Sequence, residues 1–208
     1  IIAILEEILL PVFAKARKKA RQISCVSNLK QIGLGLMQYT QDNDECVTPL
    51  RQSYNGASSV MPWPVLIFPY VKSTQVFKCP DNVGNSIMSG SNVAGITPAG
   101  VPASYIANGD GSLPWTRFPN GPAQLRPMVD LATYVGAGVG LVIMANLDTP
   151  ADTIMIAEHS KSTNPDLNQS SVVYNAPGDG LQNHTGFSNF VFADGHAKSI
   201  KPINTSTP

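Results

Sequence analysis

The chain has 208 residues, enough to bury a hydrophobic core and suited to one globular domain with an appendage rather than to two full domains. Its formal net charge is zero, with 14 basic and 14 acidic residues, which argues against recruitment of nucleic acid or anionic lipid by the whole molecule. Only 13% of the residues are charged, about half the usual share for soluble domains, whereas Gly and Pro each occur 17 times. A surface built from Asn, Ser, Thr, Gln and turns is more usual outside the cell than in the cytosol.

Residues 1 to about 42 predict one long helix, because they are mostly good helix formers interrupted only by Pro11. At ~1.5 Å per residue such a helix would extend about 60 Å, more than a small domain needs for its own core. Part of the helix must therefore pack on something else. Pro11 removes a backbone hydrogen bond, so we expect a kink or a local opening there. The Gly33 and Gly35 pair predicts the close approach of another element.

The two halves of this helix differ in their apolar pattern. Residues 1–13 are apolar nearly all round, whereas from residue 16 onward apolar side chains recur every three or four positions and predict one stripe against the chain's own domain. The stripe consists of Ala16, Ala20, Ile23, Val26, Leu29, Ile32, Leu36 and Tyr39. Between the halves lies the basic run Lys15, Arg17, Lys18, Lys19 and Arg21. For this run a solvated helix face and an interfacial or intersubunit role both remain open.

After residue 42 the pattern changes to short segments separated by turn residues. Residues 63–71 predict a short helix or turn, residues 75–78 a short strand, and residues 81–102 a long irregular loop. Better strand candidates lie at 153–158, 187–192 and 196–201, and the turn at 193–195 joins the last two as a hairpin. The predicted fold is α+β, with a helix over 1–42 followed by a head over 43–208 that contains a small antiparallel sheet and long irregular loops.

Few residues form a recognisable chemical pattern. No Ser, His and Asp set lies in a nucleophile-elbow context, no Gly-rich loop joins a strand to a helix, and no carboxylate pair stands out, so we predict a protein that is not an enzyme. Cys25, Cys46 and Cys79 are too few for a disulfide scaffold and lack C-x-x-C spacing. Residues 108–112 alternate oxygen ligands like the start of a calcium loop, but no acidic residue completes it.

A metal site near the predicted hairpin is one interpretation of the histidines. His184, Asp194 and His196 could hold a divalent metal, with His159 or Glu158 as further ligands. The alternative is structural, because Asp-Gly in a tight hairpin is first a turn signal and histidine can cap a loop. We therefore predict no cofactor, with calcium or another divalent metal as the alternative.

Segments at both ends of the chain and in its middle resemble bacterial prepilin-like proteins. The first group lies in the helix, at residues 1–5, 8–17, 20–22, 25 and 28–33. Val76-Phe77-Lys78-Cys79-Pro80 and residues 151–158 are also similar to that family. At the C-terminal end His184 is followed by nine residues and then by Asp194-Gly195, the second mark of this group. The chain therefore resembles the type IV pilins and type II secretion pseudopilins with a His-x9-Asp-Gly domain.

The resemblance implies a peptidase-cleaved precursor anchored in the inner membrane. Its mature helices would bundle into the core of a type IV pilus-like or pseudopilus filament on the cell surface or in the periplasm. The implied partners are other copies of the chain, the inner membrane and the assembly machinery, without nucleic acid. A spanning helix needs ~20 apolar residues, so we expect about seven more upstream of this sequence. The alternative function is a membrane-tethered extracytoplasmic binding module, metal-dependent or not, that does not polymerise.

A helix that is apolar on all sides cannot be covered by one small domain, so its first residues are predicted to pack against neighbouring copies. The predicted assembly residues are Ile1, Ile4, Leu5, Ile8, Leu9, Pro11 and Phe13. Glu6 and Glu7 stand where such helices usually carry small apolar residues, and a carboxylate at mid-bilayer costs about 2.5–3.5 kcal/mol. These carboxylates either lie near the membrane interface, or find partners in the filament, or mark a departure from the native sequence. We expect them to pair with the basic run of a neighbouring copy, at Lys15, Arg17, Lys18 or Lys19.

The cysteines offer one plausible disulfide. Cys25 and Cys46 are separated mostly by helix, so their Cα atoms should lie about 25–30 Å apart, against the ~4.4–6.8 Å that a disulfide requires. Cys79 is therefore the partner of one of them. We favour Cys25 with Cys79, because Cys25 adjoins the predicted stripe and both cysteines lie in segments that resemble the family. Cys46 is then a free thiol.

Overall fold

The computed structural model describes the backbone of residues 2–54, 59–82, 86–88, 90–97, 99–110, 127–129, 141–159, 184 and 186–201. Helix α1 spans Ile2–Asp42 with Pro11 inside it, so the proline does not end the helix. In this part of the chain, no helix combines the length and the apolarity needed to cross a bilayer.

One stripe of α1 packs against the rest of the protein, which we call the head. Its buried members are Gln22, Cys25, Leu29, Ile32, Leu36 and Thr40, spaced three or four residues apart. The predicted burial of the second half is confirmed from residue 25 onward, but it is wrong for Ala16, Ala20 and Ile23, which are exposed. Cys25 rather than Val26 is the fully buried residue before Leu29, and Gln22 lies three residues before Cys25. Ile23 lies beside this stripe, with 62% of its surface exposed.

The first part of the head consists of short elements. Strands β1 (Arg51–Tyr54) and β2 (Ser59–Pro62) form an antiparallel pair, and the short helices α2 (Trp63–Leu66) and α3 (Phe68–Val71) follow directly. The helix or turn predicted over 63–71 is thus confirmed.

The strand predicted over 75–78 is wrong, because the chain forms a 3-10 turn at Thr74–Phe77. The amide of Lys78 donates to the carbonyl of Gln75 at 3.1 Å, which closes the turn. Val76 and Phe77 are both buried. A turn can direct two consecutive side chains into one core, whereas a strand sends them to opposite faces.

The main sheet contains four antiparallel strands, which are β3 (Tyr105–Ala107), β6 (Ile154–Glu158), β7 (Ser188–Phe192) and β8 (Ala197–Ile200). Their order across the sheet is β3-β6-β7-β8. The strands predicted at 153–158, 187–192 and 196–201 are confirmed, as is the hairpin of the last two. A further parallel pair joins β4 (Gly109–Asp110), which lies inside the segment that resembled a calcium loop, to β5 (Met128–Val129). The fold is therefore α+β, a long N-terminal helix followed by small antiparallel sheets.

The main sheet lies on α1 through its β7–β8 hairpin. Val191 belongs to the core on the helix side, whereas Phe190 and Phe192 belong to a smaller apolar cluster on the other face, as strand alternation requires. A Cβ atom built on Gly33 would overlap the carbonyl oxygen of Gly195, and one on Gly35 would lie 2.7 Å from a methyl of Val71. The prediction that these glycines permit close approach is confirmed.

Candidate functional site

The first part of α1 extends beyond the head. Residues 9–20 are all exposed, and the protruding segment, residues 2–20, is about 28 Å long at ~1.5 Å per residue. Its described apolar side chains are exposed to solvent: Leu9 by 52%, Leu10 by 69%, Val12 by 59% and Phe13 by 64%. Of the predicted assembly residues, Leu9, Pro11 and Phe13 thus lie on this surface. Ile1 and the side chains of Ile4, Leu5 and Ile8 lie outside the described part of the structure.

The predicted intersubunit charges lie on the same segment. Glu7, Lys15, Arg17, Lys18 and Lys19 are exposed, and the side chain of Glu6 lies outside the described part. The ammonium of Lys19 donates to the side-chain oxygen of Gln22 at 3.0 Å. Exposure makes these charges accessible to another copy of the chain, and their pairing between copies stays a prediction.

Four side chains of α1 attach the helix to the head where it enters, and we call this region the junction. The contacts are Arg21 to the carboxylate of Asp81 at 2.9 Å, Gln22 to the hydroxyl of Ser199 at 2.6 Å, the Cys25–Cys79 disulfide, and Asn28 to the carbonyl of Lys78 at 3.0 Å. The protruding segment ends at this junction, so the helix changes there from exposed to half-buried.

The disulfide joins the same two cysteines that the sequence favoured. The Cα atoms of Cys25 and Cys79 lie 5.3 Å apart, within the usual disulfide range. Cys46 is a free, half-buried thiol whose residue forms a β-bridge with Ile143.

Beside the disulfide lies a group of ionisable side chains, Asp81, Glu158 and His184, which we call the buried cluster. Asp81 follows the disulfide segment, Glu158 ends β6, and His184 forms a β-bridge with Phe187 just before β7. The Nδ1 atom of His184 lies 2.8 Å from Oδ2 of Asp81, and its Nε2 atom lies 2.9 Å from Oε1 of Glu158. Glu158 is fully buried and His184 is 1% exposed.

The surroundings fix both carboxylates in place. Oε2 of Glu158 accepts the backbone N–H of Asn189 at 3.1 Å, and Oδ1 of Asp81 accepts from Arg21. Burial lowers the pKa of His184, but the hydrogen bonds and negative charges of Glu158 and Asp81 outweigh burial, so this pKa lies above its ordinary value. Burial, and secondarily the charge of Glu158, raise the pKa of the neighbouring Tyr105 hydroxyl. The cluster can therefore hold a proton on an imidazole that is almost inaccessible to water.

The residues of the His-x9-Asp-Gly pattern do not converge on one site. His184 belongs to the buried cluster, whereas Asp194 and His196 pair with each other at the surface, with Nδ1 of His196 2.6 Å from Oδ1 of Asp194. The ring of His196 stacks on Phe192. Gly195 has a φ of +86° in the hairpin turn, a conformation that glycine adopts without strain. His184 precedes β7, whereas Asp194 and His196 follow its other end, so the strand separates the members of this candidate metal set.

The ligand-type side chains that the structure does gather are different. Within the described residues, the donor atoms of Cys25, Cys79, Glu158 and His184 all lie within 4.8 Å of one another. Glu158 was named from the sequence as a further ligand beside His184. Asp81 and Asn189 were not, and nothing in the sequence indicates them, because residues 81 and 184 come together only through the fold.

The fold and the protruding helix define an α+β protein compatible with a pilin-like protein. Residues 14–85 match a family model described as "Protein of unknown function (DUF1559)", named SBP_bac_10. The match begins in the protruding segment and includes the four α1 residues of the junction, both cysteines of the disulfide and Asp81. No curated protein and no solved structure matches the chain.

Proposed function

We propose that this protein is a structural subunit of a helical filament of the type IV pilus or type II secretion pseudopilus kind, and that it polymerises through its N-terminal helix. The observation that carries the proposal is the exposure of Leu9, Leu10, Val12 and Phe13 on a helix that extends beyond its own head. Contiguous exposed apolar side chains of this size mark an interaction surface.

The energetics favour burial of this surface against another helix. Each large apolar side chain contributes about 1.5–3 kcal/mol when it is fully buried. The described residues of the head do not supply that burial, because among them α1 is buried only from the junction onward. Copies of the same helix can supply it in a head-to-tail arrangement with a helical rise, which is the symmetry of an open filament.

The DUF1559 match and the α+β architecture support a pilin-like protein. The filament form of the proposal adds an inner-membrane precursor, assembly machinery as partner, and a final place on the cell surface or in the periplasm. It needs no catalytic residue. The alternative is a membrane-tethered extracytoplasmic module, in which the same exposed apolar side chains insert into lipid and the head binds a ligand without polymerising.

Electron microscopy of the purified full chain and of surface material from its source separates the two functions. We expect fibres from the unaltered chain, and none from the double variant Leu10→Ser with Phe13→Ser. The matched control is Ile87→Ser, which removes an apolar side chain that is 49% exposed on the head. A chain that begins at Ala16 should remain a soluble monomer.

Fibres that form equally well from the double variant or from the truncated chain would contradict assembly through α1. Absence of fibres from the unaltered chain, together with its recovery in lipid vesicles, would favour the tethered module.

A further inference from the structure

The disulfide and the buried cluster occupy one small volume. The Sγ atom of Cys79 lies 3.6 Å from Nε2 of His184, which in turn lies 2.9 Å from Oε1 of Glu158. With Cys25, these residues form a group of four donor atoms within 4.8 Å of one another, and all four residues are buried. They come from four separate places in the chain, so the fold itself brings them together.

The contacts of His184 with two carboxylates require a positive charge between one ring nitrogen and one carboxylate oxygen. Carboxylates accept hydrogen bonds and do not donate them, yet both ring nitrogens of His184 face carboxylate oxygens. A neutral imidazole carries one proton and satisfies only one of the two contacts. The other contact requires a second proton or a metal ion shared by Nε2 and Oε1 of Glu158.

We propose that, when the disulfide is reduced, Cys25, Cys79, His184 and Glu158 bind one Zn²⁺ ion. Two thiolates, one imidazole and one carboxylate provide four ligands of the kinds that zinc prefers, in the number that a closed tetrahedral site needs. Three anionic ligands and one neutral ligand match the charge of the common Cys3His zinc site. Thiolate ligation disfavours calcium and magnesium, which prefer oxygen.

The surroundings already supply the outer contacts that orient such ligands. Metal-bound histidine usually donates its second N–H to a carboxylate, and Nδ1 of His184 lies 2.8 Å from Asp81. Arg21 holds Asp81 at 2.9 Å, and the backbone N–H of Asn189 holds the remaining oxygen of Glu158 at 3.1 Å. These contacts leave Nε2 and Oε1 directed toward the sulfur atoms.

The metal-bound and disulfide states exclude each other, because both use the same two sulfur atoms. A dithiol reductant supplies two electrons and two protons, which break the S–S bond and leave two protein thiols while the reductant becomes a disulfide. Binding of Zn²⁺ then displaces the thiol protons to solvent. Thiol–disulfide exchange with a disulfide oxidant restores the S–S bond, because the oxidant takes up two electrons and two protons and becomes two thiols, and the metal is then released. The site is therefore open to zinc only under reducing conditions, and zinc binding there does not require filament formation.

The test uses the full chain, with and without a phosphine reductant, in the absence of air. After addition of Zn²⁺ and removal of unbound metal, we expect one equivalent per reduced chain and none per disulfide-bonded chain. Co²⁺ in place of Zn²⁺ should give the thiolate-to-cobalt charge-transfer absorption of a tetrahedral sulfur-ligated site. The variants Cys25→Ser and His184→Gln should lose this absorption, whereas Cys46→Ser should keep it. Asp81→Asn should weaken binding by roughly 10–100-fold.

Circular dichroism shows whether the reduced chain is folded. If it is unfolded, Zn²⁺ should restore the fold, since binding and folding are then the same event. A reduced chain that neither binds nor refolds with zinc would overturn the proposal. Equal binding to the disulfide-bonded chain, or loss of binding in Cys46→Ser alone, would overturn it as well.

Discussion

Gly33 of α1 lies directly against the carbonyl oxygen of Gly195 in the β7–β8 turn, with no space for a side chain between them. Gly33→Ala should therefore push the hairpin away from the helix and lower the free energy of unfolding by about 1–3 kcal/mol. The better helix propensity of alanine offsets at most about 1 kcal/mol of this loss. Urea unfolding measures the difference.

Gly35→Ala is the matched control for this substitution. It makes the same change two residues further along the same helix, but it meets a methyl group of Val71 rather than a backbone oxygen. A side chain can adjust more easily than a hairpin, so the loss should be smaller. Equal losses in the two variants would show that the backbone contact at Gly33 has no special role.

The Cys25–Cys79 disulfide should contribute strongly to stability. It closes a loop over a sequence separation of 54 residues, for which the chain-entropy model gives about 4 kcal/mol. We expect Cys25→Ser with Cys79→Ser, measured without added metal, to unfold at a correspondingly lower urea concentration. Cys46→Ser should change little, and peptide mapping without reductant should recover Cys25 linked to Cys79. A linkage that includes Cys46 would contradict the structure.

The raised pKa of His184 makes stability depend on pH. Because its folded pKa is above the unfolded value of about 6.5, its contribution is fully present below that pH and is lost as pH rises through the folded pKa. In the disulfide-bonded, chelator-treated protein we expect stability to fall with rising pH in that window, by no more than about 1.4 kcal/mol per pH unit from this group. His184→Gln should flatten the profile. An unchanged slope in that variant would assign the dependence to other groups.

Charge reversal tests the intersubunit role of the basic run. Lys18→Glu with Lys19→Glu places acidic groups on the protruding segment, where we expect Glu7 of a neighbouring copy to lie. Repulsion should then reduce filament yield in electron micrographs, and high salt should diminish the effect. The control double variant is Lys30→Glu with Lys201→Glu, which makes the same charge change at two exposed positions outside the protruding segment. It should leave assembly intact. Equal yields from both double variants would show that the basic run is merely solvated.

The sequence predicts the fold well where periodicity is strong. The 41-residue helix and the strands near 154, 188 and 197 follow from helix-forming composition and from turn residues at 193–195. The side of the helix that faces the head is harder to predict from periodicity and composition. Ile23 is apolar but exposed, whereas Gln22 is polar but buried, because its amide donates to Ser199 from β8. A prediction from apolarity alone therefore placed Ile23 in the stripe instead of Gln22.

The site was only partly predictable for a similar reason. The resemblance to the family indicated His184 and the two cysteines of the disulfide. A sequence motif groups residues by their spacing, however, and so it grouped His184 with Asp194 and His196. Contact with Asp81 spans 103 residues and contact with Glu158 spans 26, and neither leaves a local signal. Tertiary packing, rather than spacing along the chain, decides which carboxylates face the imidazole.

The position of the disulfide also determines how α1 responds to a pulling force. Tension along the protruding segment reaches Arg21 and Gln22 first and then the covalent bond at Cys25, before it reaches Leu29, Ile32 and Leu36. The disulfide passes the force into the segment around Cys79, ahead of the contacts that Leu29, Ile32 and Leu36 make with the head. A head attached in this way resists stretching for as long as its two sulfur atoms remain joined, and reduction without metal leaves the same helix held only by noncovalent contacts, among them those of Arg21, Gln22 and Asn28.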